Sequence, residues 1–138
     1  MLKIFILIFS VLILCPYAVQ AAALKVVTTV PELGNLVQEV GGSDVSIDVL
    51  SVGNSDPHFI AVKPSFVKKL SQADLYIQIG LDLEVGWAPA VIRNSRNAKV
   101  QQGGSGYLDA SQGITPKKTT TGDRSAGDVH PRGNPHYL

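Results

Sequence analysis

The segment Leu24-Lys25-Val26-Val27-Thr28-Thr29-Val30-Pro31-Glu32-Leu33-Gly34-Asn35-Leu36-Val37-Gln38-Glu39-Val40-Gly41-Gly42-Ser43-Asp44-Val45-Ser46-Ile47-Asp48-Val49-Leu50 decides the fold class. Its first seven residues are β-branched, short and apolar, the pattern of a buried strand. Pro31 suits the first position of a helix, with Thr29 nearby as a candidate cap. Leu33, Leu36, Val37 and Val40 then recur at i, i+3, i+4 and i+7, which predicts one apolar helical face. Gly41-Gly42 ends the helix, and Val45, Ile47 and Val49 alternate with polar residues as a second strand running into Leu50. Strand, helix, strand over so few residues implies a right-handed βαβ crossover and parallel strands.

Downstream the pattern repeats. A loop from Ser51 to Ile60 leads to Pro64, which opens a second helix with Phe66, Val67, Leu70 and Ala73 turned inward. Leu75 to Ile79 predicts a third strand ending at Gly80, and Trp87 to Asn94 a helix with Pro89 near its start. Lys99-Val100-Gln101-Gln102 predicts a weak fourth strand. The sequence thus specifies an α/β lobe, a parallel sheet flanked by helices, over residues 24–138. Beyond Gly103 the last 36 residues carry seven Gly and three Pro, and 103–133 reads as an irregular loop.

Upstream of Leu24 the composition changes. Nineteen of the first 23 residues are apolar, against 43 of the other 115. Lys3 supplies a positive start, Ile4 to Leu14 an 11-residue apolar run broken only by Ser10, and Val19-Gln20-Ala21 or Ala21-Ala22-Ala23 a small-residue cleavage site. The run is too short to span a bilayer, so residues 1–23 read as a cleaved signal peptide and the mature chain as periplasmic. Cys15 is the single cysteine; Leu14 before it argues against a lipoprotein acylation site, and cleavage leaves no thiol for a disulfide or a metal. Lysine and arginine number 12 against 11 acidic residues, with no basic block, which argues against a nucleic-acid partner.

In a doubly wound sheet, ligands bind outside the carboxyl ends of the strands. The loop after the second strand puts His58 there, as a candidate metal ligand or an ordinary loop histidine, with Asp56 able to orient its ring. Asn134-Pro135-His136-Tyr137 repeats the local pattern of Asp56-Pro57-His58-Phe59, 78 positions later, so His136 can converge on the same ion; chance Asx-Pro turns give the same pattern. In both, the aromatic residue is expected to wall the site. His130, six residues before His136, reads as solvent-exposed or as a transient metal contact. Glu84, in Gly80-Leu81-Asp82-Leu83-Glu84, reads as a loop brace at the binding edge or as a surface carboxylate. A phosphate-binding loop, a nucleophile elbow and a His-Glu-x-x-His motif are all missing from the sequence, and no general base is evident beside the histidines.

Taken together, Lys25-Val26-Val27-Thr28-Thr29, Asp56-Pro57-His58-Phe59, Lys63-Pro64-Ser65, Ala73-Asp74-Leu75, Gly80-Leu81-Asp82-Leu83-Glu84 and Asn134-Pro135-His136-Tyr137 resemble the metal-binding periplasmic solute-binding proteins of ABC transporters for zinc and manganese, the zinc-uptake/adhesin-like family. The resemblance implies two α/β lobes joined by a long helix, with one Zn²⁺ or Mn²⁺ in the cleft for delivery to a membrane permease. It implies that His58 and His136 are the ligands of the N-terminal lobe, and that a C-terminal lobe, absent from this sequence, completes the site. On two ligands alone the monomeric chain is expected to bind zinc poorly. A truncated remnant without function and a small exported metallohydrolase using His58, His130 and His136 are the alternatives; a non-enzymatic transport component is the leading expectation.

Overall fold

The computed structural model describes residues 22–51, 53, 55–116 and 130–138. The signal peptide expected at 1–23, with Cys15, lies outside them apart from Ala22 and Ala23, as does most of the polar run around 115–125.

Four strands form one parallel sheet: β1 (Leu24–Thr28), β2 (Val45–Val49), β3 (Leu75–Gln78) and β4 (Tyr107–Asp109), in the order β2-β1-β3-β4. The helices are α1 (Pro31–Gly41), α2 (Pro64–Ser71) and α3 (Ala88–Ser95). β1 is central, and its neighbouring side chains Val26 and Val27 are 1% and 2% exposed on opposite faces of the sheet. A strand covered on both sides has to read as an unbroken apolar run, which is what Leu24–Val30 is. One face packs Val26, Val30, Leu33, Ile77, Ile79 and Leu83 beneath α1. The other packs Val27, Leu50, Phe66, Leu70, Tyr76, Trp87 and Val91 beneath α2 and α3.

Each helix begins with proline in its first turn, where the missing N–H is no loss. Three expectations differ. Thr29 does not cap α1; Val30 stands at that position without a side-chain cap, because the Thr29 hydroxyl is used elsewhere. The apolar face of α1 is rotated: Leu33 and Gly34 are buried, whereas Leu36 is 51% and Val40 91% exposed. Gly34 accounts for the rotation, since a Cβ there would lie 3.1 Å from Val49 Cγ2 and 3.4 Å from Thr28 Oγ1, so the helix backbone rests almost on the sheet.

The fourth strand is not at Lys99–Gln102. Ala98–Val100 is a 3₁₀ turn that buries Val100, and the strand is Tyr107–Asp109, inside the stretch expected to be irregular. The glycines between them let the backbone double back, and a Cβ on Gly104 would meet Lys99 O at 2.3 Å. Gly106 then donates to Lys99 O and accepts from Tyr76 N, setting β4 against β3.

Candidate metal centre

Strand order reverses about β1: the chain moves outward to β2 and returns to the other side as β3. The crevice at the carboxyl ends of β1 and β3 is therefore the switch point where doubly wound folds take their ligands. Glu84 spans it. Its Oε1 accepts from the Thr29 hydroxyl beyond β1 (2.7 Å) and from Ile79 N beyond β3 (2.8 Å), and its Oε2 accepts from Gly80 N (3.1 Å). At 2% exposure Glu84 is no surface carboxylate. Burial raises its pKa above the usual 4.5, and the three donors oppose that rise.

Two turns carry histidines to this edge by the same local device. Asp56 Oδ1 accepts from the backbone N–H of His58 at 2.9 Å, and Asn134 Oδ1 accepts from that of His136 at 2.9 Å. Each is an Asx turn, stiffened by the proline between acceptor and donor. Asp56 Oδ1 also lies 2.6 Å from His58 Nδ1, which assigns the proton to Nδ1 and turns the Nε2 lone pair inward. The backbone N–H of His58, and then its ring, hold the Asp56 carboxyl below the usual range.

His130 is not in solvent. It is 9% exposed, and its Nε2 lies 3.1 Å from His58 Nε2. The rings of His58, His130 and His136 pair at centroid distances of 5.0, 5.5 and 5.9 Å. One nitrogen from each can be chosen so that all lie within 4.8 Å of one another. Two imidazole nitrogens on one tetrahedral zinc, with bonds of 2.0–2.1 Å, sit about 3.3 Å apart. The His58–His130 pair already has that spacing. Glu84 and Asp56 are not members of the three-histidine group: one braces the strand ends and the other holds His58.

The aromatic neighbours do not form the expected wall. Phe59 is 84% exposed, and Tyr137 turns into the core beneath α1, where its hydroxyl donates to Ile79 O at 2.6 Å. Sequence reading also missed Trp87, whose Nε1–H donates to Pro57 O at 2.9 Å. A buried tryptophan needs a partner for its N–H, but nothing in the sequence says which carbonyl supplies it.

The family model described as "Zinc-uptake complex component A periplasmic" matches residues 26–138. The chain belongs to this zinc-uptake component family. Within it, the chain is 32% identical over 94 residues to the manganese ABC transporter substrate-binding lipoprotein PsaA of Streptococcus pneumoniae, covering 66% of this chain and 29% of that protein. It is 36% identical over 64 residues to the high-affinity zinc uptake system protein ZnuA of Paracoccus denitrificans, covering 46% of this chain and 20% of that one. A ZnuA deletion mutant crystallised with zinc bound superposes with a TM-score of 0.59 at 32% identity, over 70% of this chain and 35% of that one. The chain thus spans about a third or less of the family members it matches.

Proposed function

We propose that this chain is the metal-capturing N-terminal lobe of a substrate-binding component of an ABC uptake transporter, exported to the periplasm, that takes up Zn²⁺ or Mn²⁺ through His58, His130 and His136 and hands the ion to a membrane permease. The observation that carries it is the convergence of three histidine nitrogens within 4.8 Å at the carboxyl edge of a parallel sheet. Family membership supports transport over hydrolysis, and a set of neutral nitrogens suits zinc over manganese on affinity alone. Three imidazoles leave a fourth coordination position open, which is where a second lobe, expected from the resemblance, would add its ligand. A third histidine beside the two expected ligands supports measurable binding where two alone would bind poorly.

Calorimetric titration of the metal-free chain with Zn²⁺ tests this. One-to-one binding, weakened at least tenfold in His58→Ala and in His136→Ala, is the expected result. Affinity unchanged in both variants would sink the assignment.

A further inference from the structure

The two histidine turns lie 78 positions apart in the sequence, yet both hang from one short segment. On the His58 side, Pro57 O accepts from Trp87 Nε1, and Trp87, 4% exposed, donates its backbone N–H to Glu84 O at 3.1 Å. On the His136 side, Tyr137 donates its hydroxyl to Ile79 O, and Ile79 donates its own N–H to the Glu84 carboxylate. Residues 79–87 therefore hold the residue before His58 at one end and the residue after His136 at the other. In between, Gly80, Leu81 and Asp82 have φ of 83°, 51° and 68°. Left-handed backbone at two non-glycine residues costs on the order of 1 kcal/mol each, and it is kept only where the surroundings over-determine it. Here those surroundings are the buried Glu84 carboxylate, folded back onto the N–H groups of Ile79 and Gly80. A loop wanted only to join β3 to α3 has no need of that strain or of a buried ionisable group.

We propose that the Ile79–Trp87 segment is a positioning clamp, acting through the Tyr137–Ile79 and Trp87–Pro57 hydrogen bonds, that presets the separation of His58 and His136 for a divalent metal ion. None of Glu84, Trp87 and Tyr137 contacts the ion; they act by where they hold its ligands, as groups behind a metal's ligands do. The inference rests on the histidine site proposed above, and two measurements separate its failure from that of the site.

The first is titration with Co²⁺ as a spectroscopic stand-in for zinc, on the wild type, Tyr137→Phe and the control Tyr107→Phe, which removes a tyrosine hydroxyl that takes part in neither hydrogen bond of the clamp. Tyr137→Phe deletes one hydroxyl and keeps the ring in the core. The clamp predicts a native circular dichroism spectrum, a loss of cobalt affinity on the order of tenfold and an altered d–d absorption band, with Tyr107→Phe like the wild type. The second needs no metal. The His58 and His136 rings lie 5.5 Å apart between centroids, so their ring protons should show a nuclear Overhauser contact in the wild type that is weakened in Tyr137→Phe. Unchanged cobalt affinity and band in Tyr137→Phe, or an unchanged Overhauser contact, overturns the clamp. Should the wild type bind no cobalt, the histidine site itself fails, and the Overhauser comparison still decides whether the clamp presets the rings. Trp87→Phe, which removes the other hydrogen bond of the clamp and keeps a smaller aromatic ring in the core, is the second variant. Global unfolding of both variants would show that these bonds serve the fold rather than the site, and would overturn the proposal.

Discussion

Single residues divide the work of the site unequally. Asp56 contacts His58 twice, at the backbone and at Nδ1, so Asp56→Asn keeps the turn but allows the other tautomer. A tenfold to hundredfold loss of zinc affinity with unchanged thermal stability is expected, measured by competition with a chromogenic chelator. Glu84, besides holding the clamp loop, braces the strand ends and so bears on stability. Replacing it by alanine strands the Thr29 hydroxyl and the Ile79 and Gly80 N–H groups, at about 1–3 kcal/mol for each buried donor left unmade, enough to be read directly as a lower urea midpoint. Its titration also has a sign. Burial raises the folded pKa above 4.5, so between 4.5 and that raised value the folded chain keeps a proton the unfolded chain has lost, and stability falls as pH rises through the window. Urea midpoints of the wild type relative to Glu84→Gln should therefore decline over that interval; a pH-independent difference would reject the linkage. The histidines were legible as residues, because two Asx-Pro-His turns stand out in a linear sequence. The burial of His130 was not, since it depends on packing against His58, 72 positions earlier, which no local pattern records.

Elements were legible where local and global signals agree. β1, α1 and β2 carry strong β-branched, proline and glycine punctuation, and they fall where that punctuation puts them. The face of α1 did not follow, because periodicity counts Leu33 and Val40 alike and takes no account of Gly34, where the absence of a side chain decides which way the helix leans. The consequence is measurable. Leu33, 4% exposed under the sheet, should cost about 2–5 kcal/mol on truncation to alanine, whereas Val40→Ala, at a position 91% exposed, should stay within about 0.5 kcal/mol. Chemical denaturation of the two variants in parallel checks this, and equal costs would restore the symmetric face. β4 escaped notice for a related reason. Tyr107-Leu108-Asp109 is too short to show alternation, and it pairs only because the glycines before it let the chain come close to β3.

At the scale of the whole molecule, the site joins segments that are far apart in sequence: His58 follows β2, while His130 and His136 follow β4. A metal ion bridging them binds the folded chain and finds no preformed site in the unfolded one, so binding energy appears as folding stability. With free zinc at 100 times its dissociation constant, the chain should gain about 2.7 kcal/mol, and Tm should rise by several degrees and return on adding a chelator. The size of that gain reports the affinity, but its dependence on sequence reports the topology. Of the three histidines, His58 alone comes from before β3, so in His58→Ala the ion can no longer tie the β2 loop to the segment after β4. What remains is the pair His130 and His136, six residues apart, which the unfolded chain can also present. The zinc-dependent rise in Tm should therefore collapse in His58→Ala by more than the fall in affinity alone accounts for. Measuring Tm at matched saturation of the wild type and the variant separates the two effects, and equal rises at equal saturation would mean that the ion is not held across the sheet.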